Sequence, residues 1–262
     1  KLGKEPIIKN PSASLWDMDN EIHLAEFHSK MNSMDPLIME ALSKASDLCE
    51  SGNFKGLVVG NDGTNFSAGA NLGLSSFVTN VGAWEEAENF VQGGQLAFMM
   101  LKHGSFPVVG ASHGLAIGGG CEVLLACDAI QAHAESYIGL VEVGVGLVPA
   151  WGGCKEMLNR LSNSSKLPKG PMPSVIKAFN TIGMAKVSSS AQEAKQLCFL
   201  KETDGITMNR DRLLFDAKSV ALKLIPDYEP PEKLLFNLPG KTALAVMKIA
   251  MQGMISSGQI SE

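Results

Sequence analysis

Two glutamates stand where acid and base chemistry could take place. Glu122 directly follows the run Gly118-Gly119-Gly120-Cys121, and Glu142 lies twenty residues further on, just before a glycine-containing loop. A glycine run that opens an apolar helix leaves backbone N–H groups unpaired and directed at an approaching carbonyl or anion. Gly119 and Glu122 are three residues apart and therefore share one helix face. The spacing indicates oxyanion stabilisation beside proton transfer.

Both features also have a purely structural interpretation. The glycines could allow tight helix packing, with Glu122 complementing the positive end of the helix dipole. Glu142 could be a solvated carboxylate of the loop that follows it. These residues by themselves leave both interpretations open.

A third segment lies upstream of the two glutamates. Residues 57–59 (LVV) are typical of a buried strand, and the turn NDG at 61–63 leads into the small residues of FSAGAN at 66–71. Small residues let the backbone approach a ligand closely. Taken in order with residues 107–122 (PVVGASHGLAIGGGCE) and Glu142, these segments resemble the crotonase (enoyl-CoA hydratase/isomerase) superfamily.

The resemblance is strong over residues 14–153, weakens towards residue 226, and implies a fold. That fold is an α/β spiral of stacked ββα units, the ClpP/crotonase-like architecture, with a helical region at its C-terminal end. The strand–helix rhythm of the sequence, roughly fifty residues long, would by itself indicate only an α/β protein. We expect a linker-like start at 1–12, a spiral core at 13–195 and a helical region at 196–262.

The resemblance also implies where a substrate would bind. In this superfamily an acyl-CoA thioester carbonyl sits between two backbone N–H groups, which by motif position would be those of Ala68 and Gly119. A donor aimed at charge that develops during the reaction is typically worth about 10²–10³ in rate. The remaining residues expected to contact the substrate are Ser67, Gly69, Ala70, Gly118, Ala150 and Trp151.

The catalytic assignment depends on which groups reach the α and β carbons of the acyl chain. Both positions that hydratases use carry glutamate here, so the resemblance implies that Glu142 supplies the α-carbon proton. Glu122 would orient and help deprotonate a water, assisted by the backbone of Ala150. Trp151 is bulkier than the usual residue and is expected to change the local pocket shape.

These positions predict hydration of trans-2-enoyl-CoA to 3-hydroxyacyl-CoA in fatty-acid β-oxidation. Isomerases of the same superfamily usually use one carboxylate to move a proton along the chain, so an enoyl-CoA delta isomerase is the nearest alternative. A non-catalytic acyl-CoA-binding domain of a multifunctional protein is another. No metal or redox cofactor is expected, because the coenzyme A thioester is the substrate.

A finer resemblance concerns bacterial bifunctional proteins that fuse an enoyl-CoA hydratase part to a 3-hydroxyacyl-CoA dehydrogenase. The start of the chain at 1–11, the loop at 144–149 and the stretch at 159–173 carry it. The sequence has no GxGxxG between an opening strand and helix, so a dehydrogenase part would lie outside it. The resemblance further implies a homo-oligomer, either a trimer or a hexamer.

Composition restricts the partners. The 262 residues carry a net charge of −5, which argues against nucleic acid or an anionic membrane as the main partner. The five cysteines show no CxxC pair or metal-like spacing, so we expect reduced thiols and a cytoplasmic setting. No signal peptide or long apolar run is visible, although the chain does not begin with Met and an upstream segment is compatible with it. The lysines considered for the CoA phosphates are Lys1, Lys4, Lys9, Lys30 and Lys55.

Local patterns predict further elements. Residues 159–173 are expected to form a surface insertion, and residues 74–84 interrupt the strand–helix rhythm where Phe77 and Trp84 could line an acyl pocket. The other predicted elements are a hairpin at 15–18 and 22–27, a helix capped by Asp35 and ended by Gly52, a helix through Ala87 and Phe98, a strand at 108–111, and C-terminal helices around Glu193, Leu213 and Met247.

Overall fold

The computed structural model describes residues 4–233 and 235–260. The candidate Lys1 and the outermost residues of the two predicted terminal regions lie outside the described residues. Among the described residues, seven strands form one sheet whose spatial order is the chain order. They are β1 (Ile8–Lys9), β2 (Ala13–Asp17), β3 (Ile22–Phe27), β4 (Gly56–Gly60), β5 (Val108–Ile117), β6 (Ala129–Gly139) and β7 (Gly205–Thr207).

Strands β1 to β3 pair antiparallel, and every later pair is parallel. Helices connect the parallel strands, as parallel pairing requires a crossover. The α-helices of the described ranges are α1 (Pro36–Glu50), α2 (Leu72–Asn80), α3 (Trp84–His103), α4 (Gly119–Ala126), α5 (Gly153–Ser162), α6 (Pro171–Gly183), α7 (Ala191–Gln196), α8 (Leu213–Leu224) and α9 (Lys241–Ser256).

The N-terminal part follows the local signals of the sequence. The predicted hairpin is present as β2 and β3, with Trp16 opposite Leu24. Helix α1 begins as predicted, because the Asp35 side chain accepts a hydrogen bond from the Ile38 N–H at 3.0 Å. The mixed α/β organisation expected from the sequence is therefore present.

Apolar side chains pack on both faces of the sheet. The larger cluster joins α1, α3 and α4 to one face. On the other face, Leu213, Ala217 and Ala221 of α8 pack against Ile22 and Val58. All eight residues of α4 are buried, so the segment that carries Glu122 lies inside the core.

Several predicted boundaries differ from the structure. Residues 72–80 form helix α2 where no helix is predicted. The insertion predicted at 159–173 is wrong in extent, because α5 continues to Ser162 and α6 begins at Pro171. Strand β5 runs past its predicted end to Ile117 through an irregularity between Ser112 and Gly114.

The sheet also crosses the predicted domain limits. Strand β1 lies within the region 1–12, and β7 lies within the region 196–262, which is otherwise helical. The three-part division itself stays a prediction. All five cysteines are free. Across the described ranges, no helix combines the length and apolar character needed to span a membrane.

Candidate active site

The turn between β5 and α4 positions Glu122. Gly118 has φ +55°, a conformation that favours glycine, and its N–H donates to the Gly139 carbonyl at 2.9 Å. Helix α4 begins at the next residue, so Glu122 lies in its first turn, as predicted. The local sequence thus directs the carboxylate back towards the end of the sheet.

Two backbone donors hold the Glu122 carboxylate. Its Oε1 accepts hydrogen bonds from the N–H of Trp151 at 2.9 Å and from the N–H of Gly153 at 2.8 Å. Within the described part of the chain, Oε2 has no hydrogen-bond partner. Burial raises the pKa of Glu122 to about 8, although the two N–H donors oppose that shift. Oε1 is therefore fixed, and Oε2 is left for a ligand or a proton.

Glu142 lies in the same cleft in a different setting. It begins the short 3₁₀ helix Glu142–Val145, and both of its carboxylate oxygens are buried without a hydrogen-bond partner among the described residues. Burial raises its pKa, and the nearby N–H groups of Val141 and Glu142 oppose that rise. Neither N–H meets the distance and angle of a hydrogen bond to the carboxylate. Its charge also raises the pKa of Glu122, which places the two carboxylates close enough to interact.

Hydrogen bonds to the segment before α1 hold the loop at 66–71 in place. The Ser67 hydroxyl donates to the Asn32 carbonyl at 2.7 Å and accepts from the Gly69 N–H at 3.1 Å. The Ala68 N–H donates to the Met31 carbonyl at 3.1 Å. The Ser67 hydroxyl and the Ala68 N–H, both expected at the substrate, are thus engaged within the protein.

Ala70 offers what Ala68 does not. Neither the Ala70 N–H nor the Gly119 N–H has an acceptor in residues 4–233 and 235–260. A Cβ placed on Gly119 would lie 3.5 Å from the Ala70 nitrogen, so the two donors are neighbours. This geometry favours Ala70 with Gly119 as the donor pair and corrects the prediction of Ala68, whose N–H already has an acceptor.

The remaining predicted contacts surround this pair. Gly69 has φ +89°, and a Cβ on it would lie 2.8 Å from the Ile117 carbonyl. A Cβ on Gly118 would lie 3.5 Å from the Glu142 Oε1. The Ala150 carbonyl accepts from the Gln95 side chain at 2.8 Å, which ties its loop to α3. Close backbone approach therefore brings the predicted residues together around one cleft.

An apolar cavity of about 430 Å³ is lined by Val143 and Cys154, the chain neighbours of Glu142 and Gly153. The rest of its lining comes from α5, α6, residues 238–240 and α9. Burial raises the pKa of the Cys154 thiol, and the charges of Glu122 and Glu142 raise it further, so Cys154 lies near both glutamates. A larger cavity of about 720 Å³ lies around His113 and Arg210 and includes none of the predicted site residues.

Three contacts of the site were not predicted from the sequence. The Gly153 N–H, the Met31 carbonyl and the Gln95 amide have no local motif that marks them, because each meets its partner across the fold. The described residues contain no group of three or more His, Cys, Asp or Glu that could hold a metal ion.

Comparison with known proteins places this geometry in a family. The enoyl-CoA hydratase/isomerase family profile matches residues 18–166, the segment that carries both glutamates and both backbone donors. The chain belongs to the enoyl-CoA hydratase/isomerase family. The predicted membership of the crotonase superfamily is confirmed.

Solved structures of this family share its fold. An enoyl-CoA hydratase from Bacillus anthracis superposes with a TM-score of 0.68 at 22% identity, covering 94% of this chain and 91% of that one. An enoyl-CoA hydratase from Polaromonas sp. JS666 gives the same TM-score at 21% identity, over 81% and 77% of the two chains. At these identities the similarity establishes the crotonase fold.

One sequence relative is named for fatty acid oxidation: a putative fatty acid oxidation complex trifunctional enzyme of Rickettsia prowazekii (strain Madrid E) is 32% identical over 94% of this chain and 32% of its own length. A probable 3-hydroxyacyl-CoA dehydrogenase of Bacillus subtilis (strain 168) is 42% identical over 100% of this chain but only 33% of its own length. A crotonyl-CoA hydratase of Syntrophomonas wolfei is 28% identical over 60% of this chain and 59% of that protein. The chain described in this structure therefore spans about a third of the length of the Bacillus subtilis relative.

Proposed function

We propose that this chain hydrates trans-2-enoyl-CoA thioesters to 3-hydroxyacyl-CoA. The observation that carries the proposal is the pair of glutamates in one cleft, one fixed by two N–H groups and one without a partner. They lie beside two backbone donors that have no acceptor among the described residues. Donors, base and acid are the groups that this addition needs.

The thioester carbonyl would bind between the N–H groups of Ala70 and Gly119. Addition at the β carbon moves negative charge onto the carbonyl oxygen, and donors that are already oriented stabilise that charge without reorganisation. Gly119 is the first residue of α4, so its N–H also benefits from the positive end of the helix.

The two carboxylates would divide the proton transfers. Glu122 Oε2 removes a proton from a water as its oxygen bonds to the β carbon, and Glu142 gives a proton to the α carbon. The Ala150 N–H, which has no acceptor among the described residues, is suited to hold that water. The proton then on Glu122 returns to Glu142 through solvent, so the net change is the addition of one water. Burial raises the pKa of Glu142, which favours the protonated form that donates to carbon. It also raises the pKa of Glu122, which makes the carboxylate form of that side chain a stronger base towards water.

Other parts of the substrate have suitable surroundings. The apolar cavity bounded by Val143 and Cys154 is suited to the acyl tail. Among the lysines considered for the CoA phosphates, two are already engaged in ion pairs. Lys55 pairs with Glu21 at 2.8 Å, and Lys4 pairs with Asp19. Lys9 and Lys30 are both exposed and have no ion pair among the described residues, but only Lys30 adjoins Met31, whose carbonyl accepts from the Ala68 N–H. We assign the phosphates to Lys30.

An enoyl-CoA isomerase is the second candidate. The family includes both activities, and Glu142, which lacks a hydrogen-bond partner, could move a proton along the chain by itself. Two carboxylates in one cleft favour the hydratase. The proposal further includes no metal or redox cofactor, a cytoplasmic setting, a homo-oligomer, and a fused 3-hydroxyacyl-CoA dehydrogenase part, which the Bacillus subtilis relative supports.

Turnover of paired substrates tests the proposal. The chain would be incubated with crotonyl-CoA, trans-2-decenoyl-CoA and a 3-enoyl-CoA, and the products identified by mass. We expect the 2-enoyl thioesters to lose their conjugated absorbance and to gain one water. A 3-enoyl substrate that becomes a 2-enoyl product, with no hydration of either 2-enoyl thioester, would establish the isomerase instead.

A further inference from the structure

The Trp151 side chain fills the space beside the proposed oxyanion donors. A Cβ placed on Gly119 would lie 2.5 Å from Trp151 Cζ3 and 2.8 Å from its Cε3, so only a glycine fits beneath the ring. The same Cβ position lies 3.5 Å from the Ala70 nitrogen. The edge of the indole and the two donors therefore border one small volume.

Helix α3 prevents the indole from moving away. The ring packs edge-on against Phe90, with centroids 5.2 Å apart, and against Phe98, with centroids 5.7 Å apart. A Cβ on Gly94 would lie 2.3 Å from Trp151 Nε1, so α3 carries a glycine where the indole meets it. Only 7% of Trp151 is exposed.

The backbone of the same residue is also fixed. The Trp151 N–H donates to Glu122, and the preceding carbonyl of Ala150 accepts from Gln95 on α3. A ring that is fixed at its backbone and packed at both edges forms a rigid wall. Since cores are close-packed, such a wall yields little to an added methyl group.

We propose that Trp151 is a specificity-determining residue that excludes acyl groups with a substituent on the carbon next to the thioester carbonyl. The proposal rests on the proposed function, because it places that carbonyl at Ala70 and Gly119. The carbon bonded to the carbonyl then lies beside the indole edge, and a branch on it competes with the ring for the same volume. Unbranched chains extend instead towards the cavity at Val143 and Cys154.

Binding of saturated thioesters tests this without any turnover. The dissociation constants of butanoyl-CoA and 2-methylbutanoyl-CoA would be measured by calorimetry for the wild type, Trp151→Ala and Trp151→Leu. We expect the wild type to bind 2-methylbutanoyl-CoA at least roughly tenfold more weakly than butanoyl-CoA, which is the discrimination typical of one methyl group in a tight pocket. Trp151→Ala should abolish the discrimination and Trp151→Leu should reduce it, with both variants folded by circular dichroism. Equal binding by the wild type, or discrimination that survives in Trp151→Ala, would overturn the proposal.

The adjacent glycines of α3 supply a matched control. Gly94→Ala should push the indole towards the donors and weaken butanoyl-CoA binding, and adding Trp151→Ala should relieve that loss. Gly93→Ala adds its methyl group to open space and should bind as the wild type does. A Gly94→Ala loss that persists without the indole would contradict the proposal.

The two proposals fail in different ways. If discrimination against the branched thioester depends on Trp151 but no 2-enoyl-CoA is hydrated, the hydratase proposal is wrong and the Trp151 proposal is supported. If 2-enoyl-CoA is hydrated but Trp151→Ala leaves the ratio of the 2-methylbutanoyl-CoA and butanoyl-CoA dissociation constants unchanged, the Trp151 proposal is wrong and the hydratase proposal is supported. A chain that binds neither thioester would contradict both.

Discussion

Glu122 accepts two backbone hydrogen bonds, whereas Glu142, in the same cleft, accepts none from the described residues. Burial raises the pKa of both side chains, so the direction of that shift does not distinguish them. Their partners do. A carboxylate with one oxygen fixed is suited to hold a water in one position, and a carboxylate with two unbound oxygens can deliver a proton to carbon. Variants of the site can test that difference, first through turnover, where the largest effect is expected, and then through stability.

The largest effect is expected on turnover. Glu142→Gln and Glu122→Gln should each lower kcat for crotonyl-CoA by about 10²–10⁴, the usual contribution of a positioned acid or base. Because both act in one transition state, the double variant should lose far less than the product of the single losses. Kinetics of the three variants check this. A single variant with wild-type kcat would remove that glutamate from the mechanism.

Ala68 and Ala70 lie two positions apart in one loop, and only the Ala70 N–H is expected to act as an oxyanion donor. Replacing the amide that carries the Ala70 N–H with an ester removes that donor and weakens the Gly69 carbonyl, which accepts from the Met34 N–H at 2.8 Å. We expect kcat/KM to fall by about 10²–10³ through loss of the donor. The same replacement at Ala68 removes the hydrogen bond to Met31, which should cost about 1 kcal/mol of stability. Kinetics and thermal unfolding of the two esters check this. The reverse pattern would restore Ala68 as the donor.

Stability should separate the two glutamates in another way. Glu122→Ala leaves the N–H groups of Trp151 and Gly153 without an acceptor, at a cost of about 1–3 kcal/mol for each buried group. Glu142→Ala removes a buried carboxylate that has no hydrogen-bond partner, so the free energy of unfolding should stay close to the wild-type value or rise. Urea unfolding of both variants measures the difference. Equal destabilisation would mean that Glu142 has a partner in solution.

The pH dependence of stability should also reflect the burial of Glu122. Burial raises the pKa of Glu122 from 4.5 to about 8 in the folded state. The folded protein therefore retains this proton more tightly than the unfolded chain, and stability should decline as the pH rises from about 4.5 to about 8. Glu122→Gln still accepts the two N–H bonds and should show a shallower decline in urea titrations. An unchanged slope in this variant would assign the effect to other groups.

Features encoded by neighbouring residues were accessible from the sequence. The Asp35 cap of α1 and the β2–β3 hairpin depend on short-range signals, and both are present. Glu122 falls in the first turn of α4 because a glycine run directly precedes it. Helix α2 was missed, although Asn71 caps it by accepting from the Leu74 N–H, because the mixed polarity of its residues hides its period.

Features formed across the fold were not accessible. Ala68 and Ala70 are equally small and flank the same glycine, and only the Met31 carbonyl, supplied by the segment before α1, separates their roles. In the same way, the bulk of Trp151 is visible in the sequence, but its partner Gly94 is not. The sequence shows which residue types are present, but contacts between distant segments determine which alanine N–H is unpaired and where the Trp151 ring lies.

Exchange of the α proton tests the division of labour between the two glutamates most directly. Butanoyl-CoA has no double bond to hydrate, so deuterium incorporation from D₂O, followed by mass spectrometry, reports only proton transfer at the α carbon. We predict that the wild type and Glu122→Gln exchange this proton and that Glu142→Gln does not. Exchange that survives in Glu142→Gln and is lost in Glu122→Gln would contradict the account.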